Sequence, residues 1–525
     1  MSEHKNPFFE PYNTPHDTVP FDRIRLEDYE EAFMEGIRRD NEQIEKTINN
    51  PEKPTFDNTI INTEEDEGYY DLLSRVSTVF FNLLSAETND EMDALAQKIQ
   101  PILTQHANDI RLNTRLFERV RQVHLHHRKL TAEEKMLLNN CYEGFVRSGA
   151  LLDEAGKEKL RHLTEEASML SLQFSQNLLK EQKAFTLHIT DEAQLDGLPE
   201  TAREAAALTA KEMGKQGWVF TLDMPSYSPF MTYSTQRDLR EQMYMARMTE
   251  CTHDNDENNL EICKRIVNLR REIAQLMGYK TYADYVLKRR MASNARSVYR
   301  LLDDLIDAYK PTALKEREEV KKLAHKEVQK IKPWDSGFYS HQLQMKRYNL
   351  DQEMLRPYFE LSKVISGVFG LANRLYGITF KENKDIPVYH PDVKAYEVFD
   401  KDGSYLAVFY ADFHPRKGKQ GGAWMTEYQG QHWEMNIEKG KVKSVKENVR
   451  PHVSVVMNLT KPTEDKPALL TLGEVETFLH EFGHSLHGMF ANTRFESLSG
   501  TNVWWDFVEL PSQFMENYDY YNFCI

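Results

Sequence analysis

The chain has 525 residues, a formal net charge of −16, and 40% hydrophobic and 11% aromatic residues. That length holds roughly two to four ordinary domains with ample core, and the acidic balance excludes the basic face that a nucleic-acid surface needs. No run approaches the ~20 apolar residues of a membrane span, and the N-terminus lacks the apolar segment of a secretory signal. Cys141, Cys251, Cys263 and Cys524 are too scattered for a disulfide framework. The expected setting is therefore a reducing cytoplasm.

Residues 1–25 are Pro-rich and read as an extended surface segment. From Leu26 the pattern turns helical. Tyr29, Phe33, Ile37, Ile44 and Ile48 form one stripe, and Asn49-Asn50-Pro51 ends it. Thr55 to Leu84, Asp90 to Arg111 and 132–150 read as further helices. In 156–182, Leu160, Leu163, Ala167, Leu170, Phe174 and Leu178 line one face, the pattern of a bundle core. His124, His126 and His127 read as a solvated helix face, because no carboxylate or Cys completes a ligand set at close spacing.

Phe185 to Ile189 and Trp218 to Leu222 have strand composition. Asp223 to Phe230 (DMPSYSPF) reads as a turn-rich break and as the main domain boundary. Thr235 to Leu287 is helical again, and Val298 to Lys330 is a charge-laced, solvent-facing helix. Between Pro387 and Leu459 the character changes. Asp402-Gly403 between two aromatic-rich runs signals a hairpin. Arg416 to Gly422 (RKGKQGG) reads as a flexible basic loop without the strand and helix context of a phosphate cradle. Val453 to Leu459 is a short apolar strand, expected to be an edge or a buried structural strand beside the next helix.

That helix carries the chemistry. Thr471 and Glu474 fit a capping box, and Val475, Phe478, Leu479, Phe482, Leu486 and Met489 recur at core-facing spacing. His480, Glu481 and His484 form His-Glu-x-x-His. Residues four apart stack on one helix face, so two imidazoles can grip one metal ion, with Glu481 beside it as a general base. Gly483 costs about 1 kcal/mol of helix propensity relative to Ala; a second backbone passing close to the metal would account for it. His487 extends the face as packing or ligand support, since a catalytic zinc takes three protein ligands and keeps a fourth position open. The third ligand is left open by spacing among Glu496, Asp506, Glu509 and Glu516. Asp506 reads equally as a group that orients a ligand and as a helix-start carboxylate.

HEFGHSLHGMF followed by SLSGTNVWWDFVELPSQF resembles the zinc-binding region of the M3 peptidases, the thimet oligopeptidase family, and most of all its dipeptidyl carboxypeptidase branch. NPFFEPY, TFDNTI, FFNLLSAETND, GFVRSGALL, FSQNLLKE, PVYHPDVKAYEVFD, FYADFHPRKGKQGGAWM and NLTKP extend the resemblance over essentially the whole chain. It implies a mostly α fold, a multi-helix zincin-like clamshell with a deep channel and a small β-sheet near the metal helix. Residues 1–230 are then an N-terminal helical domain and 231–525 the catalytic domain. By the same resemblance His480, His484 and Glu509 hold one Zn²⁺ and Glu481 is the base.

The implied activity is hydrolysis of short peptides by a monomer, with release of C-terminal dipeptides. An endo-acting oligopeptidase of the same family is the alternative. Family members continue well past the third ligand, so the chain is expected to be truncated at its C-terminus. The residues that stabilise the oxyanion and bind the substrate's C-terminus are then expected outside it. Two further readings follow: a non-catalytic remnant that binds zinc or peptide without turnover, and a metallohydrolase that is not a peptidase.

Overall fold

A computed structural model describes residues 4–64, 72–127, 129–438, 441–463 and 466–520. The fold is mostly helical. The first helix, Leu26–Ile48, buries Tyr29, Phe33, Ile44 and Ile48 as its stripe requires. Helices Asp90–Arg111 and Ala132–Arg147 follow the periodicity of their sequences. Glu154–Ala184 buries Leu160 and Leu163, while Ala167, Leu170, Phe174 and Leu178 of the same stripe are only half-buried. The stretch from Thr55 divides into a π-helical turn, Phe56–Ile61, and a helix, Leu72–Ala86; residues 65–71 and Cys524 lie outside the described residues. Cys141 and Cys251 are buried and Cys263 is exposed. No helix among the described residues is long and apolar enough to cross a membrane.

Two of these helical-region expectations change, and a third gains a detail. The N-terminal segment does not simply lie on a surface: two 3₁₀ turns, Pro7–Phe9 and Pro15–Asp17, interrupt it, and Phe8, Tyr12 and Val19 are buried. Asp223 to Phe230 is not a turn-rich break: Asp223 is the N-cap and the rest lies in the helix Met224–Tyr233. Pro225 sits in its first turn, where a missing N–H costs no hydrogen bond. The helix Ala295–Ala324 faces solvent as its charges suggest, yet it also exposes Leu301, Leu302, Leu305 and Ile306.

Nine strands are described: β1 (Leu187–Ile189), β2 (Trp218–Phe220), β3 (Thr379–Glu382), β4 (Lys394–Phe399), β5 (Tyr405–Asp412), β6 (Trp424–Gln429), β7 (His432–Glu438), β8 (Lys441–Val449) and β9 (His452–Val456). β4 and β5 form the hairpin around Asp402-Gly403, with Gly403 at φ 84°. The central sheet runs β3-β4-β5-β9-β6, so β9 is interior and β6 is the edge. β9 pairs parallel to β5, and β6 pairs antiparallel to β9.

Alternation along these strands feeds two cores. Ala407, Phe409, Val453 and Val455 face Val475, Phe478, Phe482 and Leu486 of the helix Leu472–Met489, hereafter the motif helix. Val408, Tyr410 and Tyr428 face Phe8, Tyr29, Phe33 and Phe80 from the N-terminal helices. The sheet therefore holds the motif helix on one face and the N-terminal helices on the other.

The basic loop after β5 is pinned rather than flexible. Lys419 is fully buried and donates to Asp412 Oδ1 at 2.8 Å. Arg416 grips both Asp412 oxygens at 2.7 Å. Gln420 N donates to Ser85 O at 2.9 Å, tying the loop to the helix Leu72–Ala86. Truncating one partner of such a network strands buried charge, at a cost of about 3–5 kcal/mol. Asp412→Ala is accordingly expected to lower the unfolding free energy by about that amount in urea titration, whereas a loosely held loop would show almost no change.

Candidate metal centre

The capping box forms as its spacing requires. Thr471 Oγ1 accepts Glu474 N at 3.2 Å, and Glu474 Oε2 accepts Thr471 N at 2.8 Å. Two turns on, His480 and His484 stack one above the other with ring centroids 5.1 Å apart. Gly483 faces the helix Glu509–Tyr520, and a Cβ added there would lie 2.6 Å from Pro511 O and 2.6 Å from Ser512 Cα. The second backbone does pass where the glycine allows it.

That close approach sorts the four carboxylates. Glu509 Oε2 lies 3.1 Å from His480 Nε2 and 3.1 Å from His484 Nε2. One ligand atom from each of the three lies within 4.8 Å of the others. Glu516, two turns further on the same helix face, accepts His480 Nδ1 at 2.6 Å. Asp506 instead accepts the backbone amides of Met291 and Ala292, both at 2.9 Å, and touches no candidate ligand. Glu496 accepts Gly430 N at 3.2 Å, away from the centre. His487 keeps Nδ1 buried without a hydrogen-bond partner, among apolar neighbours such as Leu486, Phe490 and Met515. His124 stacks on Tyr142 at 4.0 Å, and His126 and His127 bond to backbone carbonyls. Among the described residues His480, His484 and Glu509 are the one such group.

The electrostatics favour a cation. Burial raises the Glu509 carboxyl, but Ser512 and the two imidazoles outweigh it and leave it lowered. Burial lowers His484, which keeps its ring neutral and able to ligate. His480 Nδ1 lies 2.6 Å from Glu516 Oε1, so a neutral ring that donates there has its Nε2 free to ligate. A carboxylate oxygen 3.1 Å from both Nε2 atoms completes a set of three donors that can converge on one cation. The N/N/O donor set suits a zinc-like ion and leaves a further position open. Glu481 is 6% exposed and stands outside this group. Burial pushes its carboxyl up to about 7, with His480 pulling down, Glu509 pushing up and the Met425 backbone amide pulling down.

Sequence reasoning weighed Glu516 only as a ligand. Its spacing of seven from Glu509, two helical turns, is the signal that both carboxylates face the histidines. The approach of Met425 had no sequence signal, because it depends on β6 lying at the sheet edge.

The profile of peptidase family M3 matches residues 230–522. A dipeptidyl carboxypeptidase of Escherichia coli (strain K12) is 37% identical over 519 residues, covering 98% of this chain and 74% of its own. Oligopeptidase A of the same organism is 33% identical over 517 residues, covering 97% and 74%. A solved structure, PZ peptidase A with an inhibitor, aligns over 96% of this chain and 70% of its own, with 16% identity and a TM-score of 0.49. The two sequence relatives and the family profile make this chain a metallopeptidase. It belongs to peptidase family M3.

Proposed function

We propose that the protein is a zinc-dependent peptidase of short peptides that releases dipeptides from their C-termini. The observation that carries this reading is the meeting of His480, His484 and Glu509 with Glu481 beside them. His480 and His484 Nε2 and a Glu509 oxygen would hold one zinc ion. Zinc, when bound, supplies a Lewis acid that polarises a carbonyl and acidifies water. Glu481 takes the proton of the attacking water and passes it to the leaving amine nitrogen. Glu516 holds the His480 tautomer that points Nε2 inward.

The core beneath the motif helix draws on residues 361–515, which supports 231–525 as the catalytic domain. From the few and scattered cysteines of the sequence we infer a cytoplasmic protein, and a monomer there.

Glu516→Ala is expected to weaken zinc affinity by about 10- to 100-fold, read by competition with a chromophoric chelator. The deciding experiment offers the zinc-loaded protein one short peptide with a free and with an amidated C-terminus. Dipeptide release from the free form alone supports the proposal. Internal cleavage of the amidated form favours the oligopeptidase reading, for which the resemblance to oligopeptidase A speaks. Cleavage of neither, with zinc bound, leaves a binding protein.

A further inference from the structure

A cavity of about 580 Å³ opens beside the motif helix, within the size range of ligand sites. Thr477 lines it, one turn ahead of His480 and Glu481 and on their face of the helix. Ala423 lines it too, two residues before Met425, whose backbone meets Glu481. The helices Met224–Tyr233 and Ser336–Tyr348 supply the far walls. The cavity therefore begins one helical turn from His480 and Glu481, along the same helix.

Its lining is rich in acceptors. Besides the titratable ring of His341, the charged side chains are Glu353, Glu474 and Arg356, a formal balance of one negative charge. The guanidinium is already engaged. Nε donates to Glu353 Oε1 at 2.6 Å and Nη1 to Leu469 O at 2.7 Å. The Arg356 side chain is 5% exposed, against 18% for Glu353 and 17% for Glu474, so an entering group meets the carboxylates first. Asn458, 9% exposed, gives its N–H groups to Gln420 O at 2.9 Å and Gly422 O at 2.7 Å. Its Oδ1 is left buried with no donor. The carboxylates are partnered as well, Glu474 by Thr460 and Thr471 and Glu353 by Arg356 and Thr201, so what the lining leaves over is its net negative charge and the Asn458 Oδ1. A cationic donor answers both, whereas another carboxylate adds repulsion and supplies no donor. Lysine and arginine side chains are the donor-only groups of a peptide.

We propose that this cavity is the subsite that takes a lysine or arginine side chain within two residues of the scissile bond and excludes aspartate and glutamate there. This rests on the peptide-binding part of the reading above, not on turnover. The net charge of −16 works in the same direction, drawing cationic peptides to the surface.

The test measures binding alone. Protein carrying Glu481→Gln, with and without zinc, is titrated with acetylated hexapeptides bearing a free C-terminus, in which Lys, Leu or Glu is moved through every position. Competition against a fluorescent peptide gives the affinities. At one position Lys is expected to bind at least about tenfold more tightly than Glu, with Leu between, as opposite- and like-charge contacts predict. Thr477→Arg places a cation beside the two carboxylates and is expected to abolish or reverse that order. Ser340→Arg, from the facing helix, repeats the check should the first variant fold poorly. A charge-indifferent profile at every position, an order that both variants leave intact, or no binding of any peptide overturns the proposal. Charge-selective binding without cleavage by the unmutated protein would sink only the catalytic reading, and cleavage without charge selectivity only this one.

Discussion

Glu481→Gln is expected to lower kcat by about 10²–10⁴-fold, the usual contribution of a positioned acid–base group, while zinc stays bound at one equivalent. The split follows from geometry. Glu481 is buried beside the metal candidates but is not among the three residues whose ligand atoms converge. Glutamine keeps its size and most of its packing and cannot carry the proton. Metal analysis after desalting and the hydrolysis rate of a short peptide read the two halves separately. Unchanged turnover would remove Glu481 from the mechanism; lost zinc would make it a ligand. His484→Ala should behave differently, losing metal and hydrolysis together.

Gly483→Ala is expected to loosen zinc by at least about tenfold, as loss of a supporting contact does, and to destabilise the fold although alanine is the better helix former. The two effects oppose each other. Helix propensity favours alanine by about 1 kcal/mol, whereas overpacking a tight contact costs about 1–3 kcal/mol. Overpacking wins because the new Cβ meets backbone, Pro511 O and Ser512 Cα, and not the tip of a side chain that can swing away. Relief requires the two helices to part, and Glu509, two residues before Pro511, moves with its helix. Gly370→Ala is the matched control. It lies in the helix Leu361–Tyr376 with open space where its Cβ would go, and should stabilise slightly. Zinc titration and urea unfolding of both variants check the pair. Equal behaviour of the two would mean that the close approach does not position the third carboxylate.

Local rules acting over three or four residues wrote much of this protein into its sequence. The capped motif helix, the placing of His480 and His484 on one helix face, the Asp402-Gly403 hairpin and the amphipathic N-terminal helices depend on near neighbours alone. The same rules misread segments whose conformation depends on distant partners. Met224–Tyr233 is helical despite its prolines. Lys419 is buried because Asp412 waits inside the fold. The apolar strand after residue 451 proved interior, with β6 taking the edge. Spacing left four carboxylates as equals, and resemblance singled out Glu509. In space they differ: Glu509 faces both imidazoles, Glu516 holds one from behind, Asp506 ties down another segment, and Glu496 belongs elsewhere. The sequence by itself determined a helix able to offer two imidazoles and a base. Which carboxylate comes to lie beside them could not be read from spacing, because it depends on how closely two backbones approach at Gly483 in the tertiary structure.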